Sequence, residues 1–149
     1  MTSPAERLAP ILNALDIDVE RRAEREWSVA VPCGTRGPVA VLITVRDFTV
    51  TLRAFVVRRP DRDAEGVHAR LLHKNLSTRH WRFAIDDLGD VFARADARLE
   101  GLDTAVLDGL LGELSTIVDE VYESIVRMGF EVPEGTEFTP PPEPEGEMR

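Results

Sequence analysis

From Leu107 to Met128, apolar residues recur at every third or fourth position: Leu107, Leu110, Leu111, Leu114, Ile117, Val118, Val121, Ile125 and Met128. Held for about six turns, that spacing predicts one long amphipathic helix with a buried stripe. Asp103 is its expected cap, Leu102 and Leu107 form a hydrophobic staple, and Gly129 is the expected terminating glycine. The outer side of the helix carries Asp108, Glu113, Asp119, Glu120 and Glu123, which disfavours self-association there. The chain opens on another helix signal, Ser3-Pro4-Ala5-Glu6, a capping box with proline at the first helical position. Leu8, Ile11, Leu12 and Leu15 then share a face, and Pro10 within that pattern predicts a kink or a later start. Asp63 can cap a further helix running to about Asn75, with Val67, Leu71 and possibly Leu72 inward.

Between the helices the period changes to two, the signature of strands. Trp27, Val29 and Val31 alternate with Glu26, Ser28 and Ala30. Residues 39–45 are apolar on both faces, as a central strand requires. Residues 48–57 place Phe48, Val50, Leu52, Ala54 and Val56 on one side, and Thr49, Thr51, Arg53, Phe55 and Val57 on the other. Trp81, Phe83 and Ile85 mark a fourth strand, and Val91–Leu99 a fifth. Gly89, in Asp86-Asp87-Leu88-Gly89-Asp90, supplies the positive φ of the hairpin turn between them. Residues 16–25 are charged and read as an exposed connection.

The expected fold is therefore α+β: one antiparallel five-stranded sheet with helices on one face, in the order α-β-β-β-α-β-β-α. Residues 1–132 form a single domain in this reading. Residues 133–149 hold five Pro and five Glu around one aromatic, Phe138. Such a segment buries too little apolar area to offset its ordering entropy, so a disordered acidic tail is expected. The second sheet face is mixed, with Thr, Arg and two Phe. Arg53, Phe55, Phe92 and Arg94 on it are the expected partner contacts, because aromatic and arginine side chains make efficient anchors.

Composition narrows the choice of function. The net charge of −9 is uneven: residues 46–98 carry eleven basic and eight acidic side chains, residues 99–149 two and thirteen. A nucleic-acid binder needs a basic face to collect phosphates, so nucleic acid is not an expected partner. No apolar run approaches the ~20 residues that span a bilayer, and the first residues lack a secretory pattern. One cysteine, Cys33, forms no internal disulfide. A cytoplasmic protein without membrane insertion is expected.

Catalytic and metal sites find little support. His68 and His73, five residues apart, do not share a helix face, and His80 lies beyond that helix. Asp86, Asp87 and Asp90 lack the spacing and closing Glu of a calcium loop. Cys33 has no histidine close in sequence, and no phosphate loop or nucleophile elbow occurs. No catalytic residue, metal or cofactor is expected.

The stretch from Leu71 to Phe130 resembles the YbjN family and its actinobacterial members. The resemblance rests on Leu71-Leu72…Asn75, Arg82-Phe83-Ala84-Ile85-Asp86 and Gly89-Asp90-Val91. It continues in Leu99-Glu100-Gly101-Leu102-Asp103, Leu110-Leu111, Val118-Asp119-Glu120-Val121-Tyr122 and Gly129-Phe130. It implies a fold shared with type III secretion chaperones, which are typically dimers holding an extended client segment. It also implies a non-enzymatic protein- or peptide-binding module, a chaperone or regulatory adaptor, with a protein or peptide client and a possible homodimer. The alternative is a small-molecule-binding protein or an enzyme whose site is not visible in sequence.

Overall fold

The chain forms α1 (Pro4–Asn13), β1 (Val19–Ala23), β2 (Glu26–Val31), β3 (Val39–Val45), β4 (Thr49–Val57), α2 (Ala64–Asn75), β5 (Trp81–Ile85), β6 (Val91–Arg98) and α3 (Thr104–Gly129). The computed structural model describes residues 2–132 and Pro141. The strands make one sheet in the order β1-β2-β3-β4-β6-β5, and all its pairings are antiparallel. The expected disorder of residues 133–149 falls, Pro141 apart, outside the described residues.

The sheet has six strands, not five, and the element order is α-β-β-β-β-α-β-β-α. The extra strand is β1, inside the segment expected to be an exposed connection. It pairs with β2 through Val19↔Val29, Glu20↔Ser28 and Arg21↔Trp27. Its side chains are almost all exposed, so backbone pairing and not burial fixes it. Charge along an edge strand hides it from a hydrophobicity pattern and also discourages pairing with another chain. Arg21 stacks 4.8 Å over the Trp27 ring, tying β1 to the core strand beside it.

Alternation sets the inner face elsewhere. Val39, Val41, Ile43 and Val45 of β3 are buried, and the residues between them are half-buried. Leu52 and Ala54 of β4 and Ala93 and Ala95 of β6 join them, with Trp81 and Phe83 of β5. The α3 stripe packs over this layer with Leu8 and Leu12 of α1 and Val67 and Leu71 of α2.

Several local expectations need correction. Pro10 neither breaks nor delays α1, because burying Leu8 and Leu12 offsets the one helix bond its ring removes. Phe48 lies in the turn before β4 and is 81% exposed, because β3 and β4 pair only as far as Val45↔Val50. A register shift between Phe55 and Val57 sends both Val56 and Val57 into the core, so Val57 leaves the mixed face. Leu72 points outward at 69% exposure.

Gly129 does not terminate α3 in a left-handed turn. It is the last helical residue, and Phe130 after it is extended. Glycine is needed there for space: a Cβ would lie 2.9 Å from Pro60 Cβ and 3.1 Å from Val67 Cγ2. The Pro60 ring cannot swing away, so Gly129→Ala should destabilise the fold by about 1–2 kcal/mol. Chemical denaturation reads this; a gain of stability would show that the contact yields.

Glu113 of α3 holds the turn that leads into β5. Its carboxylate accepts from the backbone N–H groups of Arg79 and His80 at 2.8 and 3.1 Å and lies 2.9 Å from His80 Nδ1. Burial pushes this carboxyl up, but the hydrogen bonds from His80 and Arg79 outweigh it and hold it below its ordinary value of 4.5. A lowered folded-state value stabilises the native chain above about pH 4.5, and this is lost as pH falls through the folded value. Glu113→Gln should therefore be less stable than the parent at pH 6, with the gap closing towards pH 3 in urea unfolding. A gap independent of pH would contradict this.

Candidate functional site

The inner face of the sheet is consumed by the core, which leaves the outer face as the candidate surface. Because Leu52, Ala54, Ala93 and Ala95 point inward, their neighbours Arg53, Phe55, Phe92 and Arg94 point outward. The register aligns them in two cross-strand rows. Arg53 of β4 stands opposite Arg94 of β6, which stands opposite Arg82 of β5. Next to this row, Phe55 stands opposite Phe92, which stands opposite Ala84.

Three guanidinium groups in one row, on strands ~4.8 Å apart, repel one another. Like charges directly opposite are destabilising. One carboxylate answers the row directly. Asp96 lies 3.4 Å from Arg94, in an exposed pair, and also accepts from Thr51 Oγ1 at 2.7 Å. Arg82 donates to Thr78 Oγ1 at 2.8 Å and to the Trp81 carbonyl at 2.7 Å, neutral acceptors that leave its charge uncompensated. Arg53 stacks over the Phe92 ring at 4.1 Å, and among the described residues no carboxylate pairs with it.

All four site residues expected from sequence therefore come together. Two of them stand differently from the expectation of exposed anchors. Phe55 and Phe92 are only 7% and 3% exposed, meeting edge to face with centroids 5.5 Å apart. Neither belongs to the main core cluster, so they form a separate aromatic pair on the outer side. Two arginines complete the surface. Arg82 is not among the contact residues expected from sequence, and only the β5–β6 register puts it beside Arg94. Arg36, from the β2–β3 loop, donates to the carbonyls of Val56, Pro38 and Phe55 at 3.1, 2.7 and 3.4 Å, which sets a fourth guanidinium by the aromatic pair. No period in the loop sequence signals this.

Chemically, the surface suits carboxylates beside apolar or aromatic side chains. A guanidinium fork binds a carboxylate through two parallel hydrogen bonds, and the flat face of a guanidinium stacks on an aromatic ring. Among the described residues no three His, Cys, Asp or Glu side chains gather to hold a metal ion. Cys33, His73 and Asp86, the residues an assembled catalytic site would draw on, belong to the β2–β3 loop, α2 and the β5–β6 turn. Burial pushes the Cys33 thiol up, and the Asp119 charge adds to this against Ser115 and Arg36, so the thiolate is disfavoured. Asp86 caps its own turn, accepting from the N–H groups of Leu88 and Asp90. No helix among the described residues is long and apolar enough to cross a membrane.

Residues 4–127 match the YbjN family, described as "Putative bacterial sensory transduction regulator". An uncharacterised protein of Mycobacterium tuberculosis is 26% identical over 102 residues, covering 68% of this chain and 56% of its own length. One of Mycobacterium leprae is 28% identical over 102 residues, covering 68% and 55%. The chain thus spans little more than half the length of these relatives. Among solved structures, Escherichia coli YbjN superimposes with a TM-score of 0.61 at 16% identity, covering 78% of this chain and 90% of that one, which is likeness of fold. A chain of the heterodimeric ExoU–SpcU complex from the type III secretion system of Pseudomonas aeruginosa gives a TM-score of 0.46 at 19% identity, covering 81% and 93%.

Proposed function

The chain belongs to the YbjN family, and from that membership we propose a non-enzymatic protein- or peptide-binding module, a cytoplasmic chaperone or regulatory adaptor, whose contact surface is the outer sheet face. The observation that carries this reading is the row Arg53–Arg94–Arg82 beside the Phe55–Phe92 pair. A fold selected for stability alone gains by breaking such a row with one acidic residue. Keeping it makes sense where carboxylates arrive from outside. The partner is an extended acidic segment with an aromatic or large apolar residue. Its carboxylates engage Arg53 and Arg94, and its aromatic or apolar residue packs on the Arg53 guanidinium that stacks over Phe92.

A second copy of the chain is a further partner in this reading. Leu72 of α2 and Leu76, which caps that helix, are exposed and offer an apolar contact away from the sheet. The acidic outer side of α3 makes that helix the poorer choice.

A peptide titration tests the sheet-face reading. A synthetic extended peptide with two or three glutamates around a phenylalanine is added to the isotope-labelled chain, and backbone amide shifts are followed. Shifts concentrated on β4, β5 and β6 around Arg53, Arg82 and Arg94 are expected. Shifts scattered over the surface, or gathered on α2, would overturn the assignment.

A further inference from the structure

We propose that residues 133–149 of this same chain dock on the outer sheet face, as a built-in occupant that a partner must displace. The first ground is charge complementarity. The segment carries five glutamates against one arginine, and the face presents Arg53, Arg94 and Arg82 in register with Asp96 as the nearby acid. Its single aromatic, Phe138, follows Glu134 and Glu137, the acid-and-aromatic combination that a row of flat guanidinium groups fits.

The second ground is where α3 ends. The Gly129 carbonyl accepts from the N–H groups of Asp61 and Arg62 at 2.8 and 3.2 Å. The Phe130 carbonyl accepts from Arg62 at 3.0 Å, and Arg58 stacks 4.5 Å over the Phe130 ring. The chain therefore leaves the helix at residues 58–62, directly past the end of β4. From Arg58 back to Arg53 along β4 is about 17 Å at the strand rise per residue. Residues 131–138, when extended, span about 26 Å. Glu137 and Phe138 are thus within reach of both rows, and Glu134 of the nearer Phe55–Phe92 row.

Tethering makes modest contacts sufficient. A short linker gives the segment an effective concentration in the millimolar range at its own face. A partner then binds with its affinity reduced by the fraction of molecules still open. Docking itself stands on charge and reach. Its role as a competitor rests on the partner-binding reading above.

The test uses the full chain carrying Cys33→Ala and a nitroxide on Thr136→Cys. Line broadening of the amides around Arg53, Arg82 and Arg94 is expected, weakening in 1 M salt, where the screening length falls to about 3 Å. The double variant Arg53→Glu/Arg94→Glu should abolish the broadening, and adding Glu134→Arg/Glu137→Arg should restore it. These positions lie outside the core, so the variants keep the fold. No broadening, broadening unchanged by the charge swap, or broadening passed only from one copy to another would each overturn the inference. If the free acidic peptide still shifts the outer face while the segment does not dock, this inference fails and the partner-binding reading stands. If the segment docks and no acidic peptide displaces it even at high concentration, docking stands and the partner-binding reading fails.

Discussion

Trp81→Ala should cost about 3–5 kcal/mol and lower the melting temperature by about 10–15 °C. Trp81 is fully buried, and its indole N–H donates to the Leu110 carbonyl of α3 at 2.8 Å. Truncation leaves a cavity between sheet and helix and removes that bond. Much of the 5–15 kcal/mol that typically holds a domain would go with it. Trp81→Phe fills most of the space and should lose only about 1–2 kcal/mol, through the missing donor. The consequence reaches the site, because Trp81 points inward and Arg82, the next residue of β5, points outward. Asn75 reinforces the same strand by clamping the backbone of Phe83, accepting from its N–H at 2.8 Å and donating to its carbonyl at 3.1 Å. Thermal denaturation reads the effect. A shift of only a degree or two would show that β5 is held by other contacts.

Arg53→Glu/Arg94→Glu should weaken binding of an acidic, aromatic-bearing peptide roughly a hundredfold while leaving the fold intact. Each charge-assisted bond to a carboxylate is worth about 1.5–3 kcal/mol, and reversal replaces attraction with repulsion. The effect on stability is the diagnostic part. The two new carboxylates again face each other, and Arg82 gains a partner while Asp96 loses one, so the melting temperature should change little. A purely structural role would lower it. Arg94→Lys keeps the charge but loses the two-pronged geometry, and it should fall between parent and reversal. Titration calorimetry together with thermal melts separates these cases. Unchanged affinity in the reversed variant would remove the face from consideration.

Where one residue sets a boundary by local chemistry, the boundary was legible. Asp63 and Asp103 accept from the N–H groups of Gly66 and Val106, and α2 and α3 begin directly after them, as the caps predict. Gly89 takes the positive φ of its turn. Trp27, Trp81 and Phe83 are core, as period two requires. Features that depend on pairing between strands stayed hidden. The charged strand β1 exists through its backbone bonds to β2. The shift after Phe55 moves Val57 from the mixed face to the core. Arg53 and Arg94 were recognisable as members of one mixed face. Their alignment with Arg82, which turns scattered arginines into a row, follows only from the register of β4, β6 and β5, where β4 pairs with β6 across the intervening α2 and β5.

The central claim is that the outer sheet face meets the partner. Its most direct test places a photo-crosslinking amino acid at Ala84, exposed on that face beside Phe92, and for comparison at Asp108, on the outer side of α3. Both proteins are irradiated in cells of the source organism. A discrete adduct from Ala84, absent from Asp108 and lost when Arg53→Glu/Arg94→Glu is added, is the predicted result. Adducts from Asp108 with none from Ala84 would contradict the account.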